Sequence, residues 1–235
     1  MCEDCGCGDS ELVPVHVHER ILSDNDHRAA HLREHFVEAN VLAINLMGSP
    51  GSGKTAVLEA TARLAENLRI GAVSGDLATD NDAQRLRRAG IQATAITTGN
   101  ACHLDARLVH DALHHVPWRE LDLFVIENVG NLVCPAIYDL GQDANVVALS
   151  ITEGEDKPLK YPTMFMRADL VLLTKVDLAP HLDVDIDAIV ANLAKVMPEP
   201  RVILVSAKTG LGIAEWLSWL AVRRTAGQWA SLSVS

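Results

Sequence analysis

Val41-Leu42-Ala43-Ile44-Asn45-Leu46-Met47 runs directly into Gly48-Ser49-Pro50-Gly51-Ser52-Gly53-Lys54-Thr55, and these two segments decide the fold. The first has the length and apolarity of a buried strand. The second opens a helix and matches, in residue type and in context, a loop built to cradle phosphates. Its glycines let backbone N–H groups turn inward around phosphate oxygens, and the helix amino terminus adds positive potential. Lys54 reaches the β- and γ-phosphates, and the Thr55 hydroxyl can ligate Mg²⁺. A glycine turn with a purely structural task needs neither residue at these places.

Downstream, strands and helices alternate. The apolar runs Gly71 to Ser74, Ala93 to Thr97, Leu121 to Ile126, Val146 to Ile151, Leu170 to Thr174 and Val202 to Ser206 read as further strands, with helical stretches between most of them. Such strands imply an α/β fold, a P-loop NTPase whose mostly parallel, doubly wound sheet carries helices on both faces. Upstream, Ser23-Asp24-Asn25-Asp26 looks like a helix start, with helix expected to about Ala39. The predicted organisation is a tail and linker over residues 1–22, whose cysteines are read below, and a P-loop nucleotide-binding domain over 23–235.

Composition agrees. The 235 residues are 49% hydrophobic and 22% charged, enough for one substantial core. The formal charge of −11 argues against nucleic acid or an anionic membrane as partner. Aromatic residues are only 4% of the chain, which disfavours a β-sandwich or a base-stacking platform. Nothing resembles a signal peptide, and no apolar run reaches membrane-spanning length, so a cytoplasmic location is expected.

The nucleotide base is read at the far end of the sheet. Leu123 to Glu127 is an apolar strand ending in an acid and followed by Asn128-Val129-Gly130, which resembles the metal-binding carboxylate and switch glycine of a GTPase. Thr174-Lys175-Val176-Asp177 looks like a guanine-specificity motif with Thr in place of its usual Asn. Asp177 can accept from guanine N1–H and its exocyclic amine, a donor pair that adenine lacks, while Lys175 can lie along the base. Ser206-Ala207-Lys208 resembles the loop whose backbone contacts the guanine oxygen. GTP and GDP are the expected ligands. Asp76, at the carboxyl edge of its strand, is a candidate Mg²⁺ contact beside Thr55 and Glu127, and Lys54, Asp76 and Glu127 are the candidate catalytic residues. Asp80 and Asp82 read as ordinary helix-start acids.

The cysteines point to a soft metal. In a reducing compartment five cysteines are expected to remain thiols. Cys2, Cys5 and Cys7 can wrap three thiolates around one ion; closure in a plane with an amine suits Ni(II), and tetrahedral closure suits Zn(II). Cys102 and His103 share one loop and Cys134 lies in another. With the two preceding strands read as neighbours, these residues favour a second site, for a borderline-soft divalent metal. His27, His31 and His35 recur every fourth residue on one helix face, where solvation is the simpler reading.

The set Cys2-x-x-Cys5-Gly6-Cys7, Asn45-Leu46-Met47 before the P-loop, Gly75-Asp76, Cys102-His103-Leu104-Asp105-Ala106, Glu127 to Pro135 and Glu153 to Pro162 resembles the HypB family, the nickel-incorporation GTPases of hydrogenase maturation in the P-loop SIMIBI class. The resemblance covers nearly the whole chain, although a long histidine-rich tract is missing: His16 and His18 are all that the tail offers. It implies a slow, Mg-dependent GTPase that dimerises with GTP and works with a partner nickel metallochaperone. It further implies Ni(II) delivery to the large-subunit precursor of a [NiFe]-hydrogenase. A urease-type nickel-insertion GTPase, a non-catalytic nickel or zinc buffer and a small-molecule P-loop kinase are the rival readings.

Overall fold

A computed structural model describes residues 15–76, 79–99 and 102–232. Seven parallel strands, β1 (Leu42–Met47), β2 (Ile70–Asp76), β3 (Gln92–Thr97), β4 (Leu123–Glu127), β5 (Ala144–Ser150), β6 (Leu170–Thr174) and β7 (Val202–Val205), form one sheet in the order β3-β2-β4-β1-β5-β6-β7. Every strand expected from the apolar runs is present. The helices are α1 (Val15–Glu38), α2 (Lys54–Leu64), α3 (Asn81–Arg88), α4 (Ala106–Leu113), α5 (Lys157–Lys160), α6 (Pro162–Met166), α7 (Ile186–Val196) and α8 (Ile213–Leu232).

Both faces of the sheet are covered, which is why its central strands are apolar throughout rather than alternating. On one face Leu42, Ile44 and Leu46 of β1 pack with Val57 and Leu58 of α2 and Trp216 of α8. On the other, Ala43, Val73, Phe124 and Ile126 pack with Ala29, Leu32 and Phe36 of α1 and Val109 and Leu113 of α4, and Met47, Val147 and Leu149 pack with Phe165 and Ile189. The spacing of Ala29, Leu32 and Phe36 gives α1 its single buried stripe. Because β1 lies between β4 and β5, its carboxyl end opens at the point where the chain crosses from one half of the sheet to the other. Doubly wound sheets bind ligands at that crevice.

Two expectations need correction. Helix α1 starts at Val15, so part of the segment read as linker is helical, and Ser23 to Asp26 lie inside the helix rather than at its cap. Asn25 is buried there because its amide donates to Asp139 O at 2.8 Å and accepts from Ala106 N–H at 2.9 Å, a tertiary use that mimics a capping composition. The strands before the two cysteine loops are not neighbours either: β2 lies between β3 and β4. The loops meet above the end of β2 instead. Cys2, Cys5 and Cys7 lie outside the described residues. Among those described, no helix is long and apolar enough to cross a membrane.

A nucleotide crevice joined to a thiol and imidazole centre

The loop from Gly48 to Gly53 turns back over the end of β1 before α2 begins at Lys54. Gly48 takes φ 145°, and a Cβ there would come within 2.3 Å of Ala148 O, so only glycine lets the loop lie against β5. Lys54 donates to the carbonyls of Gly48 at 3.0 Å and Ser49 at 3.2 Å. Burial lowers the pKa of its ammonium, while the charges of Glu127, Asp82 and Glu153 oppose that fall. The buried Ser52 Oγ has no hydrogen-bond partner, leaving a hydroxyl that the loop itself does not use.

Pro50, Gly51, Gly53, Lys54, Thr55 and Ala56 line one wall of a crevice of about 510 Å³, and Gly75, Asp76, Asp82, Arg85, Glu127, Asn128, Val129 and Gly130 complete it. Thr55 Oγ1 donates to Glu127 Oε1 at 2.7 Å. Burial raises the pKa of Glu127, countered by that hydrogen bond and by Lys54. Asp76 sits at the mouth and accepts from Thr79 Oγ1 at 2.6 Å. A hydroxyl and carboxylates of this kind are hard oxygen donors that fit Mg²⁺. Two wall residues carry no signal of this role in the sequence. Asp82, weighed as a helix-start acid, lines the crevice and acts electrostatically on Lys54 and Glu127; Arg85 lines it too and is forked onto Glu59 at 3.1 and 2.8 Å.

The residues expected to read the base assemble around Asp177 and Ser206. Asp177 Oδ1 accepts from Ser206 Oγ at 2.6 Å, and Ser206 Oγ accepts from Thr209 N–H at 3.2 Å. Ala207 O accepts from Arg63 of α2 at 3.0 Å, while Lys208 is exposed. Lys175 adopts a left-handed conformation, φ 60°, and its ammonium donates to Gly51 O at 2.6 Å. Thr174, which stands where an Asn was expected, donates from Oγ1 to Ser52 O at 2.5 Å. Thr174 therefore ties the end of β6 to the phosphate loop.

Cys102 Sγ, a His103 ring nitrogen and Cys134 Sγ all lie within 4.8 Å of one another. The two sulfurs are 2.9 Å apart, and His103 Nδ1 is 3.7 Å from Cys102 Sγ. Burial lowers the His103 pKa, opposed by Asp105, which favours the neutral imidazole. Its ring stacks on Tyr138 at 3.9 Å. Two thiols and an imidazole so placed could hold a metal ion, and their donor types suit a borderline cation such as Ni(II) or Zn(II).

One segment touches both places. Glu127 meets Thr55; Asn128 accepts from Leu104 N–H at 3.3 Å and donates to Asn45 Oδ1 at 3.0 Å; Asn131 donates to Cys102 O at 3.3 Å; Cys134 meets Cys102. Between them, Gly130 lies so close to Pro50 that a Cβ would meet its Cγ at 2.8 Å. Asn128 and Asn131 carry no chemical signature in the sequence, because their importance is entirely a matter of what they touch.

A family model described as the CobW/HypB/UreG nucleotide-binding domain matches residues 42–203. Over 218 residues the chain is 48% identical to the hydrogenase maturation factor HypB of Azotobacter vinelandii, covering 92% of this chain and 72% of that protein. The crystal structure of HypB from Archaeoglobus fulgidus superposes with a TM-score of 0.80 at 40% identity, covering 86% of this chain and all of that one. HypB from Helicobacter pylori, solved in complex with nickel, gives a TM-score of 0.82 at 39% identity over 86% of this chain and 96% of that one. Likeness of this extent, in sequence and in fold together, means that the chain belongs to the HypB family of hydrogenase maturation factors.

Proposed function

We propose that this protein is a slow, Mg-dependent GTPase that takes up Ni(II) as cargo and releases it under nucleotide control to the large-subunit precursor of a [NiFe]-hydrogenase. The observation that carries the reading is the continuous segment from Glu127 to Cys134, which touches Thr55 at one end and Cys102 at the other. A shift at the nucleotide end must then move a metal ligand, so the two equilibria are linked.

Glycine-loop N–H groups and Lys54 would hold the β- and γ-phosphates, and Lys54 would offset charge that develops on the transferred phosphoryl group. Thr55, Glu127 and Asp76 would hold Mg²⁺, which supplies further neutralisation of the phosphate oxygens. Asp177 would accept from the guanine N1–H and amine, with Lys175 along the base and Ser206, Ala207 and Lys208 beside its oxygen. Cys102, His103 and Cys134 would hold Ni(II), or Zn(II) in a tetrahedral sphere. A two-fold related copy would complete that sphere, giving a homodimer in the GTP state. Cys2, Cys5 and Cys7 would bind a separate Ni(II), independently of nucleotide. A partner nickel metallochaperone and a cytoplasmic setting complete the proposal.

The test is nickel titration of the full chain with Cys2, Cys5 and Cys7 changed to alanine, in GDP and in a non-hydrolysable GTP analogue, with oligomeric mass followed. Different affinities in the two states are expected, lost in Cys102→Ala, Cys134→Ala. Equal affinities would end the coupling. Phosphate release from GTP with no acceptor present, abolished by Lys54→Ala, separates this reading from a kinase.

A further inference from the structure

Imidazoles gather at a second place, remote in the chain from Cys102. Helices α1 and α4 lie side by side on one face of the sheet, locked by Leu32, Phe36, Val109 and Leu113 in a shared core. On the outer side of this pair the His35 and His110 ring centroids are 6.2 Å apart, and those of His110 and His114 are 5.6 Å apart. His35 also stacks on Trp118 at 5.8 Å, and Trp118 is buried.

We propose that His35, His110 and His114 form a separate binding site for a borderline divalent cation of the Ni(II) or Zn(II) type. Imidazole nitrogen binds such ions at about 2.0–2.1 Å, which places each ring centroid about 3 Å from the metal. Two rings sharing an ion therefore have centroids roughly 4.5–6.3 Å apart, according to the angle between them. Both separations fall in that interval. His110 and His114 are one helical turn apart, the spacing that puts two imidazoles on one ion, and His35 comes from the neighbouring helix.

The nitrogens of the three rings do not all lie within 4.8 Å of one another, so binding would turn the side chains, while the apolar stripes beneath fix how α1 and α4 sit. Asp111 Oδ1 is 3.7 Å from His110 Nδ1. Drawn slightly closer, it would accept from that nitrogen and leave Nε2 for the ion, a common arrangement around metal-bound histidine. The other histidines on the α1 face contribute less: His31 lies by Glu34 at 3.6 Å, and His27 is exposed. The site shares no residue with the Cys102 centre and does not depend on the function proposed above.

The experiment uses the full chain with Cys2, Cys5, Cys7, Cys102 and Cys134 all changed to serine, titrated with nickel chloride and with zinc chloride at mildly alkaline pH by equilibrium dialysis. One bound equivalent is expected to remain. Nickel is expected to quench part of the tryptophan emission, and Trp118→Phe to remove that quenching, because His35 lies against the indole. His35→Gln, His110→Gln and His114→Gln are each expected to weaken binding by about tenfold or more, whereas His27→Gln leaves it unchanged. Glutamine keeps the positions polar and helical, and circular dichroism checks that each variant is folded. No bound ion in the cysteine-free chain, or binding that survives the triple glutamine variant, would overturn the site.

Discussion

Thr55 Oγ1 donates to Glu127 Oε1 at 2.7 Å, so the first turn of α2 and the end of β4 meet where hard oxygen donors are concentrated. That contact ties together two segments 72 residues apart in the chain. If both groups also hold Mg²⁺, Thr55→Ala is expected to weaken Mg·GTP by about tenfold or more, near 1.4 kcal/mol, and to leave binding in a chelator nearly unchanged. Calorimetry with and without Mg²⁺ makes the comparison; an equal loss in both conditions would assign the hydroxyl a purely structural task.

Asp177 accepts from Ser206 at 2.6 Å and retains acceptor capacity for a base. Asp177→Asn is expected to weaken GTP strongly while improving xanthosine triphosphate, since the amide brings a donor where guanine also donates. Nucleotide competition assays report the preference, and an unchanged preference for GTP would remove the guanine assignment.

Asn25 bridges Ala106 N–H and Asp139 O, thereby holding α1 to the start of α4 and to the loop carrying Tyr138. Since Tyr138 stacks on His103, Asn25→Ala is expected to loosen the metal centre as well as the fold. A buried and a half-buried backbone group lose their partner, at a cost of about 1–3 kcal/mol. Denaturant melts should show that loss, and nickel binding at Cys102 should weaken while GTP binding is retained.

Asp122 is the one carboxyl group with a strongly depressed pKa among the described residues, about 2, caused first by hydrogen bonds from Arg69 and then by the charge of Arg224. A carboxylate whose folded pKa lies below its unfolded value stabilises at pH above the unfolded value and loses that contribution as pH falls through the folded one. Asp122→Asn is therefore expected to cost roughly 1–2 kcal/mol near neutrality, less than the full shift because Arg69 is well exposed. The gap between variant and parent should close from about pH 4 down to about pH 2. Melting temperatures across that range measure it, and a constant difference would show that the charge is not responsible.

Local sequence determined a great deal about this protein. Apolar runs of strand length specify β1 to β7, and Gly48 to Thr55 specify the phosphate loop, because a strand buried on both faces and a loop that must turn its N–H groups inward each restrict residue type at consecutive positions. Tertiary structure alone decided the rest. Ser23 to Asp26 have the composition of a helix start, yet Asn25 among them is a buried bridge; Asp82 has the character of a helix-start acid and lines the crevice; the strands carrying the two cysteine loops are separated by β2. Asn128 and Asn131 join the nucleotide crevice to the thiol and imidazole cluster through hydrogen bonds to residues 24 and 29 positions away, and His35 meets His110 across two helices. Such contacts depend on strand order and helix packing, and an asparagine or histidine has the same composition signature whether it faces water, a backbone amide or another ring.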